Sequence, residues 1–216
     1  MSEWWTYSLS DFLLFSPRTY YRLFELYNAA LWPAHLLAAV AGLVILACML
    51  REGRGWRAAC ALLGACWLWV GWVFLLDRYA TINWAAAWFA GLFVVQAALL
   101  VLAGATGGNP GFESRLRRAG AIGLFVFALL IQPLIGPLMG RPWAQAEVFG
   151  MAPDPTALGT LGVALLQSTG RRWLLLAVPL LWCAIAGATL WTMGAGDAVV
   201  LPAAGVLALA LAALWR

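Results

Sequence analysis

Six long stretches of this sequence contain almost no charged side chains, and this feature limits the possible fold more than any other. A helix needs about 20 consecutive apolar residues to cross the hydrocarbon core of a membrane. Soluble domains are about 25% charged, whereas only 10% of these residues are charged. We therefore expect an all-α integral membrane protein. The six stretches are Ala30–Leu50, Trp56–Leu76, Trp84–Ala105, Ala119–Gly140, Trp173–Gly194 and Ala198–Trp215.

A seventh apolar stretch, Thr156–Ser168, is too short to cross alone, because a helix rises only about 1.5 Å per residue. It follows a segment rich in proline and glycine, "GRPWAQAEVFGMAPDPTALG". We expect residues 143–168 to form one discontinuous crossing, in which Trp143–Ala152 enters, the chain breaks at "PDP", and a half-helix completes the passage. Asp154 is then predicted to be the N-cap and Pro155 the first helical residue.

The arginines favour a crossing over a re-entrant loop at this seventh stretch. All thirteen basic residues are Arg. If the stretch crosses, nine arginines share one side and four the other; if it does not, the split is six against seven. The positive-inside rule favours the first arrangement. It predicts a bundle of about seven crossings with the N-terminus outside and the C-terminus in the cytoplasm.

Before the first span, "SPRTYYRLFELYNAALW" predicts an amphipathic helix on the outer membrane surface. Ser16 can cap it and Pro17 can begin it. An apolar stripe recurs at helical spacing. The alternative is an unbroken, tilted first helix that is kinked at Pro33. Residues 1–29 are thus an N-terminal segment and 30–216 a helical bundle, in a single transmembrane domain. The stripe comprises Tyr20, Leu23, Phe24, Tyr27 and Leu31.

Uncommon polar residues gather at the predicted outer end, where polar side chains inside a membrane usually face a cavity or the bundle interior. They predict an outward-facing polar pocket at the broken crossing. The hypothetical ligand-binding residues are Tyr27, Asn28, His35, Asn83, Gln132, Arg141, Glu147, Asp154 and Thr156.

Each of these residues also has a structural interpretation. Tyr27 and Asn28 could close the amphipathic helix against the first span, and His35 could be a hydrogen-bonding core residue. Asn83 could cap the helix that begins at Trp84. The Gln132 amide could satisfy a carbonyl freed by Pro133. Arg141 could form an ion pair with Glu147 or Asp154.

The sequence contains no recognisable catalytic set, metal-binding motif or phosphate-binding loop. It has one His and four Cys without a CxxC motif, and those cysteines are expected to be small buried hydrophobes. We therefore expect a protein that is not an enzyme and that has no cofactor, no metal and no nucleic-acid partner.

Four stretches, "FSPRTYYRLFELYNAALWPAH", "TINWAAAWFAGLFVVQA", "PLIGPLMGRPWAQAEVFGMAPDPTALGTLG" and "WLLLAVPLLWCAIAGATLW", resemble a bacterial family of small multi-pass proteins, domain of unknown function 6064. The family pattern reads "GHxYP…FGxPCPTT". This chain has Arg141 in the place of the His and Asp154 in the place of the Cys. The resemblance implies a protein of the bacterial inner membrane and no particular activity.

Two functions fit these observations. The first is binding or permeation of a small molecule through the outward-facing pocket. The alternative is an accessory or assembly subunit of a larger membrane complex, in contact with lipid and with partner subunits. A defined partner that copurifies in mild detergent would favour the second.

Overall fold

The computed structural model describes residues 15–51, 55–106, 114–167 and 169–213, and within these ranges the chain is helical without β-strands. Val70–Leu76 and Phe127–Ile131 are π-helical, and Tyr79–Thr81 and Trp143–Gln145 are short 3₁₀ turns. The α-helices are α1 (Pro17–Leu31), α2 (Ala34–Leu50), α3 (Trp56–Trp69), α4 (Ala86–Thr106), α5 (Arg115–Val126), α6 (Gln132–Leu138), α7 (Pro153–Leu165), α8 (Thr169–Thr192) and α9 (Val200–Ala213).

Several helices are apolar and long enough to span a membrane. Four such segments lie in the described part of the chain, and the pair α1 and α2 would be a fifth if its two bent helices are counted as one span. Helix α9 is apolar but shorter. The four segments are Trp56–Thr81, Ala86–Thr106, Arg115–Leu138 and Gly170–Thr192.

Helix α1 is a separate amphipathic helix, as predicted. Ser16 caps it by accepting a hydrogen bond from the Thr19 backbone N–H, and Pro17 occupies its first turn. The chain bends by 93° between α1 and α2. The alternative of one unbroken, tilted helix is therefore wrong, and the first long apolar helix begins at Ala34 rather than at Ala30.

Side-chain contacts define two ends of the bundle. At one, which we call the α1 end, the ring centroids of Tyr20 and Tyr79 are 6.1 Å apart, and Arg141 pairs with Asp197. At the opposite, far end, Trp56 Nε1 donates to the Ala103 carbonyl at 3.1 Å. The α1 end therefore gathers α1, the turn after α3 and the loops around residues 141 and 197.

At the far end, Arg172 joins three parts of the chain. Its Nε donates to the Gln167 carbonyl at 3.2 Å and its Nη1 to the Ala212 carbonyl at 3.0 Å. Since Gln167 follows α7 and Ala212 lies in the last turn of α9, these bonds place the ends of both helices beside the start of α8.

Helix α7 lies at the centre of the bundle, and all thirteen of its residues are buried. Its N-terminus reaches only the middle of α8, where Trp182 Nε1 donates to Asp154 Oδ1 at 2.8 Å. Residues 146–152 lead into this point as irregular chain. The sequence-based expectation of a short helix preceded by a non-helical segment is thus met by the fold.

The predicted start of this short helix is wrong. Helix α7 begins at Pro153, with Ala152 as an N-cap that makes no side-chain hydrogen bond. Asp154 is not the cap and Pro155 is not the first helical residue. The physical reason is that Asp154 already lies inside the first turn, where its carboxyl accepts from the distant Trp182 indole.

Helix α7 packs on α5 with almost no space between the backbones. A Cβ added at Gly162 would lie 2.4 Å from the Ala121 carbonyl oxygen and 3.1 Å from the Phe125 backbone nitrogen, both of which belong to α5. Neither backbone can yield cheaply in a close-packed interior. Glycine at position 162 therefore sets the spacing of the two helices.

We expect Gly162→Ala to lower the free energy of unfolding by about 1–3 kcal/mol, the usual cost of overpacking. The matched control is Gly91→Ala in α4, where an added Cβ meets nothing within 4 Å. That control should be neutral or slightly stabilising, because Ala is the better helix former. Thermal unfolding of both variants in detergent measures the difference. Equal unfolding temperatures would contradict the close contact between α5 and α7.

Candidate functional site

Two side chains of α1 hold the irregular segment that precedes α7. Asn28 Nδ2 donates to the carbonyls of Ala144 and Ala146, both at 2.9 Å. The Tyr27 hydroxyl donates to the Met151 carbonyl at 2.9 Å. Backbone carbonyls outside regular structure need such partners when they are buried. Tyr27 and Asn28 therefore bind the broken segment, and Asn28 also joins α1 to the first long apolar helix through His35 of α2, as was predicted for it.

A second layer of hydrogen bonds orients these two side chains. His35 Nε2 lies 3.0 Å from Asn28 Oδ1, and Trp69 Nε1 donates to the Tyr27 hydroxyl at 3.1 Å. Since an amide oxygen only accepts, the His35 contact requires a proton on Nε2. His35 is thus a hydrogen-bonding residue, as its structural interpretation predicted, although it is half-buried rather than in the core.

Thr156 fixes the turn at which the irregular segment becomes helix. Its hydroxyl donates to the Ala152 carbonyl at 2.7 Å and accepts from the Gly150 backbone N–H at 3.0 Å. Gly150 has a φ of 76°, in the left-handed region where glycine is favoured. A further chain of bonds continues from the Thr156 carbonyl to the Thr160 hydroxyl and on to the Trp67 indole. The Thr156 hydroxyl therefore satisfies backbone groups and fixes the entry into α7.

Four ionisable residues meet beside this segment. Arg141 forms a hydrogen-bonded ion pair with Asp197, and its Nη1 lies 4.0 Å from Glu147 Oε1. The Arg141 guanidinium also lies 4.4 Å from the centroid of the Tyr21 ring. The predicted pair between Arg141 and Glu147 exists as the longer of the two contacts. Asp197, which the sequence analysis missed, is the closer partner.

Glu147 and Asp154 face one another inside the bundle. Only 6% of Glu147 and 1% of Asp154 is exposed. Their carboxyl groups lie within hydrogen-bonding range of each other. Trp182 supplies one donor to Asp154, whereas Glu147 Oε2 and Asp154 Oδ2 are both buried without a donor. Two buried carboxyl groups in contact need a bound proton or a nearby positive charge, because unpaired buried charges are costly.

The two remaining predicted site residues lie apart from these hydrogen bonds. Asn83 Oδ1 accepts from the Ala85 backbone N–H at 2.9 Å and its Nδ2 donates to the Tyr79 hydroxyl at 3.0 Å. It caps the turn ahead of α4, which begins at Ala86 rather than at Trp84. Gln132 lies at the start of α6, and its Oε1 is buried without a donor.

The cavity beside the irregular segment is apolar. It has a volume of about 210 Å³ and opens between α2 and α3. Tyr27, Asn28 and Thr156 form hydrogen bonds with the segment, and none of the three lines this space. Its lining residues are Ala34, Leu37, Ala38, Ala41, Leu62, Ala65, Cys66, Trp69, Gly150 and Met151.

We expect Thr156→Val to lower the free energy of unfolding by about 1–3 kcal/mol, because it leaves the buried Gly150 N–H without an acceptor. The control is Thr192→Val, since the exposed Thr192 hydroxyl donates only to the Ala188 carbonyl of its own helix. This control should change stability by less than about 0.5 kcal/mol. Thermal unfolding in detergent checks the prediction, and a Thr156→Val protein as stable as the control would refute it.

Comparison with known proteins identifies the family. A family model described as "Family of unknown function (DUF6064)" matches residues 18–216 of the chain. No curated protein and no solved structure matches it. The resemblance noted in the sequence is therefore confirmed, and the chain belongs to the DUF6064 family, whose function is unknown.

Proposed function

We propose that this protein is a multi-pass membrane protein that binds a small solute or ion, or lets it pass, at the broken crossing. One observation carries the proposal, namely the cluster of the half-buried Arg141 with the carboxyl groups of Glu147, Asp154 and Asp197, which are buried among apolar helices. Ionisable side chains at membrane depth are costly, and they commonly mark the routes of ions and substrates. The site also resembles the discontinuous helices of transporters in its half-length helix.

The same proposal includes seven crossings of the bacterial inner membrane, with the α1 end outside and the C-terminus in the cytoplasm. Two observations support it among the described residues. Seven arginines lie at the far end and four at the α1 end, as the positive-inside rule requires of a cytoplasmic far end. Six exposed tryptophans surround the α1 end, in the manner of an interfacial belt. They are Trp32, Trp72, Trp84, Trp88, Trp143 and Trp191.

Single cysteines in a background without Cys48, Cys60, Cys66 and Cys183 test this topology. Exposed positions suit the assay at both ends: Ala144 and Gly196 at the α1 end, Arg57 and Arg171 at the far end. An impermeant thiol reagent on intact cells should label Ala144→Cys and Gly196→Cys alone. Arg57→Cys and Arg171→Cys should react only after permeabilisation. Labelling of Arg171→Cys on intact cells would contradict a crossing by residues 143–167.

Permeation is tested with purified protein in lipid vesicles. The rate of vesicle volume change is followed by light scattering after a gradient of a neutral polyol, a monovalent cation salt or a monovalent anion salt. We expect faster equilibration than in protein-free vesicles for at least one class, and slower equilibration for Asp154→Asn. The Thr192→Val protein is the control and should match the unmodified protein.

Rates equal to those of protein-free vesicles for every solute class and for protons would contradict the proposal. A second subunit that copurifies at fixed stoichiometry in mild detergent, together with absent permeation, would instead favour an accessory subunit of a larger complex.

A further inference from the structure

We propose that the ligand of the broken crossing is a proton, held between the carboxyl groups of Glu147 and Asp154. The inference rests on the proposed function and specifies its ion. Both side chains are more than nine-tenths buried, and each retains an oxygen, Glu147 Oε2 and Asp154 Oδ2, to which the protein supplies no donor.

The contact between the two carboxyl groups itself requires a proton. An ionised carboxylate only accepts hydrogen bonds, so two ionised carboxylates within hydrogen-bonding range repel each other. One proton converts this repulsion into a short, charge-assisted O–H···O hydrogen bond. The proton thus supplies the donor that neither buried oxygen finds elsewhere in the protein.

The surrounding contacts indicate which residue carries the proton. The Trp182 indole donates to Asp154 Oδ1, a bond that favours the ionised form of Asp154. Glu147 has no comparable neutral donor, and the Arg141 guanidinium lies 4.0 Å from its Oε1. We therefore assign the O–H bond to Glu147, with Asp154 as the acceptor.

The charges around the pair leave room for this proton. Arg141 is closely paired with Asp197, so most of its positive charge is offset by Asp197 and little is left to stabilise a carboxylate at Glu147. Without a shared proton, three carboxylates would face a single guanidinium. In the described part of the chain, the other titratable groups that interact with the pair come from α1, from the turn after α3 and from α8, and none of these carries a positive charge. They are Tyr20, Tyr21, Tyr79 and Cys183.

Arg141 also provides a route for release toward the α1 end. Its side chain is 16% exposed and contacts both Asp197 and Glu147. Movement of the guanidinium from Asp197 toward Glu147 would stabilise the Glu147 carboxylate. The O–H bond of Glu147 then breaks, water at the α1 end accepts the proton, and Arg141 takes over as the partner of Glu147.

Two amide substitutions distinguish the loss of the proton from a disturbance of the fold. Glu147→Gln puts an N–H donor where the O–H stood, so it mimics the protonated state and keeps the hydrogen bond to Asp154. Asp154→Asn keeps an oxygen that can accept from Trp182. The matched control is Asp77→Asn, because Asp77 is exposed after the π-helical end of α3.

The test is infrared spectroscopy of the full-length protein in lipid at neutral pH, where a protonated carboxyl group has a resolved C=O stretching band. We expect one buried carboxylic acid band in the unmodified protein and in Asp77→Asn. It should be lost in Glu147→Gln and shifted in Asp154→Asn. Isotopic labelling of the Glu carboxyl carbons should move the band, and labelling of the Asp carboxyl carbons should leave it in place. Absence of the band, or its persistence in both amide variants, would overturn the proposal.

Proton flux in the same vesicles separates this inference from the proposed function. A pH-sensitive dye inside the vesicles should report flux in the unmodified protein and at least a tenfold loss in Glu147→Gln. The band without any flux would support the shared proton and contradict permeation. Solute flux without the band would support permeation and overturn the shared proton.

Discussion

Irregular backbone inside an apolar bundle needs hydrogen-bond partners, and the arrangement of this protein depends on how that need is met. Lipid and apolar side chains offer none, so the carbonyls and N–H groups of residues 146–152 have to be satisfied by the protein. Asn28, Tyr27 and Thr156 provide the bonds that are described above. Asn28 and Tyr27 are adjacent residues of α1, and Thr156 lies in the first turn of α7.

This requirement explains why α1 lies across one end of the bundle. Its apolar stripe packs on the ring of Phe74, 4.8 Å from Phe24 between centroids, while its polar residues reach the irregular segment. The 93° bend before α2 makes both contacts compatible. An amphipathic helix that could have rested on the membrane surface alone is thus also part of the site, because it supplies the amide and the phenol that the segment lacks.

Local patterns predicted the elements of this fold, whereas the partners of the site residues depend on tertiary structure. Apolar length predicted the helices, and the stripe from Tyr20 to Leu31 together with Ser16 predicted α1. Prolines and glycines predicted the break before α7.

The start of α7 was misplaced because an Asp before a Pro is typical of a cap, and only the fold brings Trp182 to that carboxyl. Asp197 was missed for the same reason, since it lies 56 residues from Arg141 in sequence. A search for acidic residues in loops at the same predicted end as Arg141 could have found it.

The contact at Gly162 affects the position of the Asp154 carboxyl as well as the packing of the two helices. Gly162 lies two helical turns below Asp154, about 12 Å along α7 at about 1.5 Å per residue. Since a Cβ at position 162 would overlap the Ala121 carbonyl oxygen of α5, any larger side chain would require α7 or α5 to shift at that point. The position of the Asp154 carboxyl in the bundle therefore depends on Gly162, a residue that does not contact it. Sequence changes at Gly162 should alter the acid pair indirectly, and this glycine and that carboxyl are expected to vary together rather than independently.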